Sequence, residues 1–482
     1  MRRMSVLLCP VRRVLRTMSA IVLLPAVVAL GVRASPEFPA RPNIVFILAD
    51  DLGWGDLGSF GQREIDTPHL DRMAVEGLRF THAYAGSTVC APSRAALMTG
   101  QHTGRTSVRG NRRPDMTRGY YLGADDTTIA SVLRDAGYAT AAIGKWGLGF
   151  HGREAAGMPD RQGFDYFFGY LNQTHAHNSY PSHLFRNDTR VDLPNTVPDE
   201  LPNGAGVSDN RLVFAQDLFI DEALHFIRAP RAEPFFLYFA PTLPHANNEA
   251  EPFGLEIPNY GPYASRDWPE AKKALAAMIS RLDHDVGRIL AELRARGIAE
   301  DTLVIFSSDN GPHKEAGGDP AFFVSSGPFQ GRKRSLHEGG IRVPTIAWQP
   351  GTVPPGRVSE EPWYFPDLFP TFAALAHGSF DAARIDGMDI RRVLLGGREP
   401  ELRRRLMYWE FHEGGFACAA RRGNWKAILK KPGTPLELYD LATDPGETHD
   451  LASHFPEVAA QMAAAMRAAR TESPEWPAPS GY

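Results

Sequence analysis

Cysteine is scarce in this chain: three residues in 482, at positions 9, 90 and 418. If Cys9 is lost with a leader, at most one disulfide can form, so the fold must rest on its core. Excess positive charge is missing as well. The formal balance is −4, which excludes bulk attraction to nucleic acid but still allows a local cationic pocket for an anion. No segment repeats along the chain, which sets solenoids and propellers aside. Hydrophobic residues supply 43% and charged residues 22%, the balance of a globular protein with a sizeable core. A length of 482 residues suits one large α/β domain with a smaller one beside it.

A long membrane span is also lacking near the start. The apolar run Ala20 to Val32 is too short to cross a bilayer comfortably. It follows a basic beginning (Arg2, Arg3, Arg12, Arg13, Arg16) and precedes Val32-Arg33-Ala34, a small-residue site loosely of the A-x-A kind. Residues 1–34 therefore read as a cleaved signal peptide, with an N-terminal membrane anchor as the alternative. Arg12-Arg13 is a weak sign of twin-arginine export, a route that carries folded proteins. The expected location is periplasmic or secreted, with no stable membrane insertion after the leader is removed.

Beyond the leader, strands and helices alternate. Asn43–Leu48 (NIVFIL), Tyr138–Ile143, Phe235–Ala240, Leu303–Ser308 and Ile341–Trp348 read as strands. Thr127–Ala136, Leu212–Ile227 and Pro269–Arg296 have helical spacing. Strands made of continuous apolar runs predict a large, mostly parallel sheet sandwiched by helices, which makes the fold class α/β. In such sheets ligands bind beyond the carboxyl ends of the strands. Residues 150 to 210, rich in Pro, Asn, Gly, His and Tyr, read as long surface loops. The expected domains are 35–395, catalytic, and 396–482, a smaller α+β subdomain on an antiparallel sheet. In the latter, Asn424–Leu429 and Pro435–Leu441 read as short strands and Ala459–Ala468 as a closing helix.

Two acidic pairs sit where chemistry is expected. Asp50-Asp51 follows the first strand, and Asp309-Asn310 follows Leu303–Ser308. Singly, each pair is more often a structural cap. Together, at two strand ends, they make an oxygen-only site for a hard cation, calcium or magnesium, an even alternative. Cys90-Ala91-Pro92-Ser93-Arg94 opens a helix, since Pro92 suits a first turn. Cys90 would then lie at a helix N-terminus, which favours an anion, with Arg94 one turn on. The residues alone leave Cys90 as either a reactive or a buried cysteine.

Cys90-Ala91-Pro92-Ser93-Arg94, continuing through Leu97-Met98-Thr99-Gly100, resembles the first signature of the type I sulfatases of the alkaline phosphatase superfamily, with its C-x-P-x-R motif. Gly137-Tyr138 through Ile143-Gly144-Lys145-Trp146 is similar to the second signature. Asp50-Asp51, Ser308-Asp309-Asn310-Gly311, Pro244-His245, and Lys333 before Glu338-Gly339-Gly340-Ile341-Arg342-Val343-Pro344 complete the set. The match runs from about Asn43 to Leu438-Tyr439-Asp440-Leu441. Each motif is modestly specific; their common order and spacing are not easily explained otherwise.

The resemblance implies hydrolysis of a sulfate ester, on a carbohydrate or on an aryl alcohol, to alcohol and inorganic sulfate. A formylglycine-generating enzyme would oxidise Cys90 to formylglycine, whose hydrated diol, bound to the metal, is the nucleophile. By motif, Asp50, Asp51, Asp309, Asn310 and modified Cys90 would ligate the cation, calcium or alternatively magnesium. Arg94 would hold the formylglycine, and Lys145 and Lys333 the sulfate oxygens. His245 would contact the sulfate and is the candidate general acid for the leaving alcohol. One position departs from the pattern: the family places histidine two residues after the second-signature lysine, and here that residue is Gly147. His175 and His177 are candidates to take over its proton transfer, with substrate contact or an ordinary surface role as the alternative; an Asp or a metal-bound group is a third candidate for that transfer. Glu410 and His412 are further candidates for substrate contact from the second domain. Two other readings stay open: a phosphoester hydrolase of the same superfamily, which would need a Ser or Thr nucleophile and usually a second metal, and a non-catalytic binder of sulfated glycans.

Overall fold

Residues 43–49 are apolar at nearly every position because both faces of this strand are covered. In the computed structural model, Ile44, Phe46 and Leu48 enter one core, while Val45, Ile47 and Ala49 enter another on the opposite face. The structure describes residues 1, 8–9, 37–111, 121–150, 156–480 and 482. Apart from residues 1, 8 and 9, the proposed leader lies outside the described residues.

The strands are β1 (Asn43–Ala49), β2 (Leu78–Phe80), β3 (Ala83–Tyr84), β4 (Ala139–Lys145), β5 (Tyr166–Tyr170), β6 (His183–Arg186), β7 (Thr189–Asp192), β8 (Phe235–Ala240), β9 (Thr302–Ser308), β10 (Thr345–Trp348), β11 (Arg357–Ser359) and β12 (Trp363–Tyr364). The large sheet has ten strands in the order β11-β2-β10-β9-β1-β8-β4-β5-β6-β7. Its centre, β9-β1-β8-β4-β5, is parallel throughout, while β10, β6 and β7 run antiparallel to their neighbours. Helices α1 (Pro68–Glu76), α2 (Cys90–Thr99), α3 (Ile129–Asp135), α4 (Ala215–Arg228) and α5 (Glu270–Ala295) flank this sheet. Residues of α1, α4 and α5 fill the core with Val45 and Ile47, and residues of α2 and α3 fill the one with Phe46. Every residue of α2 is buried, as expected of a helix that carries no polar outer stripe.

A second sheet contains β13 (Leu406–Phe411), β14 (Ala417–Arg422), β15 (Trp425–Leu429) and β16 (Glu437–Asp440), all antiparallel. Along β13, Met407, Trp409 and Phe411 face the core that also holds Tyr84, Ile341 and Tyr364. Tyr408 faces the opposite core, with Met462 and Met466 of the closing helix Pro456–Ala469. The mixed large sheet and the separate antiparallel sheet are those the sequence predicts.

Three details differ. Residues 150–210 are not all loop, because β5 to β7 lie there and extend the sheet to its edge. The expected strand Ile341–Trp348 divides into a short helix, Glu338–Ile341, and β10. Within that turn Gly340 passes so close to neighbouring backbone that a Cβ would lie 1.9 Å from Ser335 O, so only glycine fits there. The C-terminal sheet has four strands where two were expected.

Candidate active site

Parallel strands in register bring the acidic pairs together. Ala49 of β1 pairs with Ser308 of β9, so Asp50 and Asp309 are the next residues out at one edge of the sheet. The Asp309 N–H donates to Ala49 O (3.0 Å), and the Asp50 N–H donates to Leu243 O just beyond β8 (3.1 Å). Asp51 then turns sharply with φ 69°, a left-handed conformation that aspartate tolerates better than most residues. Its N–H donates to Asp309 Oδ1 (3.1 Å). Asp50, Asp51, Asp309 and Asn310 all end up buried.

Each carboxylate meets a cation. Lys145, the last residue of β4, places Nζ 2.7 Å from Asp50 Oδ2. Lys333 Nζ is 2.7 Å from Asp51 Oδ2. Arg94 donates from Nε and Nη2 to Asp309 Oδ2 (3.0 and 2.8 Å) and from Nη1 to Lys145 O (2.7 Å). Burial resists the charge on Asp50, but Lys145, His245 and Arg94 outweigh it and lower its pKa. Burial and the nearby Asp50 push Asp309 the other way, up to about 7. For Lys333, burial is overcome by Asp51 and Glu315, and the pKa is raised.

Cys90 begins α2, after Val89 in extended conformation. Its Sγ receives the Asn111 Nδ2 at 3.6 Å, and Asn111 Oδ1 accepts the Ala91 N–H at 3.1 Å. Ligand atoms of Asp50, Cys90 and Asp309 lie within 4.8 Å of one another. Burial raises the thiol pKa, against the pull of Lys145. Cys90 and Cys418 are both free, so they are not paired in a disulfide.

His245 donates from Nδ1 to Ala246 O (2.7 Å), and its Nε2 lies 3.3 Å from Lys333 Nζ and 3.5 Å from Asp51 Oδ2. Burial and Lys333 lower its pKa well below 6.5. Two neighbours were not read from the sequence. His313 donates from Nε2 to Pro244 O (3.0 Å) and sets Nδ1 3.0 Å from Glu315 Oε2. Glu315 Oε1 in turn lies 3.5 Å from Lys333 Nζ. Both residues sit on the loop that carries Asp309, so the rule of looking beyond strand ends was the signal available.

The two candidate histidines part company. His177 stacks on His245, with ring centroids 5.1 Å apart and planes 16° from parallel. His175 is buried in a different cluster, against His183 (centroids 4.4 Å), with Glu200 nearby. Glu410, on β13 of the second sheet, is fully buried, 2.9 Å from both His412 Nε2 and Arg470 Nε. It forms ion pairs with His412, Arg470 and Arg109 rather than with the Asp50 cluster.

The donor set fits a hard divalent cation. Asp50 Oδ1 and Asn310 Oδ1 are buried without a hydrogen-bond partner, and an ion among these oxygens would satisfy both. It would also relieve the repulsion that raises Asp309.

The family model described as Sulfatase matches residues 42–379. The chain belongs to the sulfatase family and is a sulfuric ester hydrolase. This sulfatase is 35% identical over 415 residues to N-acetylgalactosamine-6-sulfatase of Sus scrofa, covering 83% of this chain and 73% of the relative. It is 33% identical over 471 residues to arylsulfatase A of Homo sapiens, covering 89% and 86% of the two chains. Among solved structures, it resembles Ps i-CgsB in complex with k-i-k-neocarrahexaose, at 27% identity and a TM-score of 0.71, covering 91% of this chain and 95% of that one. The family uses a metal and a formylglycine, the chemistry for which the cluster around Cys90 is suited.

Proposed function

We propose that this sulfatase removes sulfate from a carbohydrate, with an aryl sulfate as the second choice of substrate, after Cys90 has been converted to formylglycine. The observation that carries this reading is the position of Cys90, at the first turn of a buried helix and against Asp50 and Asp309. A carbohydrate substrate is supported by the names of the relatives, one an N-acetylgalactosamine-6-sulfatase and one bound to a neocarrahexaose. Calcium is the preferred cation, because it accepts irregular oxygen coordination more readily than magnesium. Asp50, Asp51, Asp309, Asn310 and the modified side chain at 90 would hold it. When bound, cation and formylglycine together supply an activated oxygen nucleophile.

The chain's own residues then divide the work. Arg94, fixed by Asp309 and Lys145 O, orients the side chain at position 90. Lys145 and Lys333 bind sulfate oxygens and stabilise the charge that grows in the transition state. His245 lines the sulfate site and accepts from the Lys333 ammonium through Nε2. We also infer export to the periplasm or beyond, guided by residues 1–34, and maturation by a formylglycine-generating enzyme. No helix among the described residues is long and apolar enough to cross a membrane.

The test is the mass of the peptide containing residue 90, from protein made with and without a formylglycine-generating enzyme, followed by assay of sulfate release. A mass loss matching cysteine to formylglycine, together with sulfate release, is expected. Unmodified cysteine in both preparations and no released sulfate would falsify the proposal.

A further inference from the structure

Expelling an alcohol from a sulfate ester calls for a proton on the leaving oxygen, the more so as the alcohol becomes less acidic. Arg94, Lys145 and Lys333 are engaged by carboxylates. His245 holds its proton at Nδ1, against Ala246 O, and turns Nε2 to the donating ammonium of Lys333. Its Nε2 therefore carries a lone pair and accepts rather than donates.

The adjacent imidazole has the opposite arrangement. His177 Nδ1 is held by both oxygens of Glu249, at 3.0 and 3.2 Å. Its Nε2 has no hydrogen bond among the described residues. The His177 side chain is 13% exposed, against 2% for the His245 ring on which it stacks. A carboxylate on Nδ1 fixes the tautomer, steadies the imidazolium and leaves Nε2 to give and take a proton. The titratable groups against His177 are Glu249, from the turn Asn248–Ala250, and His245, from the loop after β8. Residue 147 cannot serve instead, because it is glycine and Gln173 fills the space beside it: a Cβ there would lie 2.3 Å from Gln173 Nε2.

We propose that His177, positioned by Glu249, is the general acid that protonates the leaving alcohol, while His245 accepts from the Lys333 ammonium and holds it in place. As sulfur gains a bond from the oxygen nucleophile that residue 90 would supply, its bond to the alcohol oxygen breaks, the electron pair of that bond stays on the alcohol oxygen, and that oxygen takes the proton from His177 Nε2. His177 is left neutral and regains a proton from solvent. The inference rests on the sulfatase reading above.

The experiment compares formylglycine-bearing wild type, His177→Gln, Glu249→Gln and Glu249→Asp on 4-nitrophenyl sulfate and phenyl sulfate. Nitrophenolate leaves readily without a proton; phenolate does not. His177→Gln should keep 4-nitrophenyl sulfate turnover within severalfold and lose on the order of 10²-fold on phenyl sulfate. Glu249→Gln should show a smaller loss of the same kind, restored by Glu249→Asp. Independently of turnover, the NMR titration midpoint of His177 should fall in Glu249→Gln, with the melting temperature nearly unchanged. Equal losses on both esters, no loss on either, or a His177 midpoint indifferent to Glu249 would each overturn the inference. If wild type with formylglycine confirmed at position 90 releases sulfate neither from these esters nor from sulfated saccharides, the sulfatase reading fails and takes this one with it. Wild-type turnover with unaltered leaving-group dependence in His177→Gln sinks only the acid role.

Discussion

Asn310 donates its amide to Asp51 Oδ1 at 2.6 Å and leaves its own carbonyl oxygen buried without a partner. The Asp50 oxygen that lacks a hydrogen bond lies in the same cluster. A cation bound there contributes stability by mass action, about 2.7 kcal/mol when its concentration is a hundredfold above its dissociation constant. Calcium added to chelator-treated protein should therefore raise the melting temperature, and magnesium should raise it less. Asn310→Ala should shrink the calcium increment markedly. Thermal unfolding with and without each ion is the check, and an increment equal in wild type and variant would remove Asn310 from the ligand set.

Gly147 has φ 74°, and Gln173 Nε2 donates to its carbonyl at 3.0 Å. Restoring the family's histidine by Gly147→His should not restore a working group. The left-handed backbone costs about 1–2 kcal/mol for a residue with a Cβ, and Gln173 must move as well. A lower melting temperature and lower kcat/KM than wild type are expected. Higher kcat/KM in Gly147→His would show that the space is available and that the site lacks a proton carrier.

Much of this arrangement was legible in the sequence, for physical reasons that differ by element. Asn43–Ala49 and Thr302–Ser308 are apolar on both faces, so they announce central strands, and the acidic pairs after them fall at one sheet edge. Cys90 reads as a helix start because Pro92 and Gly100 bracket a short helix, and Gly100 does close it with φ 67°. The hairpin β6–β7 is harder, since it is an edge pair with an exposed outer strand and little alternation. Its turn at Asn187, φ 53°, was the available cue. Strand β14 is built of Ala and Arg, weak strand formers, and is held by pairing on both sides. The pairing of His177 with Glu249, 72 residues away, has no local signature.

Asp56 offers a pH dependence outside the cation cluster. It is buried, with Oδ2 accepting the Gly53 N–H at 2.7 Å and Oδ1 unpaired. Burial pushes its pKa from 3.8 to about 7, despite hydrogen bonds from Ser325 and Gly53. Between those values the folded protein holds a proton that the unfolded chain releases. The stabilising contribution is thus full below 3.8 and is lost as pH rises to about 7. The slope is at most about 1.4 kcal/mol per pH unit. Asp56→Asn lacks this titration, so its stability relative to wild type should improve steadily between pH 4.5 and 7 (about these limits). Denaturant unfolding across that range tests it, and a constant difference would show that Asp56 keeps an ordinary pKa.

Lys426 fastens the second sheet to the segment that follows Lys333. Its Nζ lies 2.9 Å from Glu338 Oε1 and 2.8 Å from Glu447 Oε1, with all three side chains fully buried. Burial opposes the charge on Glu338, but Lys426, Arg342 and Arg421 lower its pKa to about 2. Removing the lysine leaves two carboxylates buried beside each other, and breaking a buried pair in this way costs about 3–5 kcal/mol. Lys426→Met should therefore destabilise strongly, even though it preserves most of the side-chain volume. Adding Glu338→Gln and Glu447→Gln should recover much of the loss, because the uncompensated charges disappear. The melting temperatures of the single and triple variants decide the matter. If the triple variant is no more stable than Lys426→Met, the lysine acts through packing and hydrogen bonding of the sheet rather than by neutralising Glu338 and Glu447.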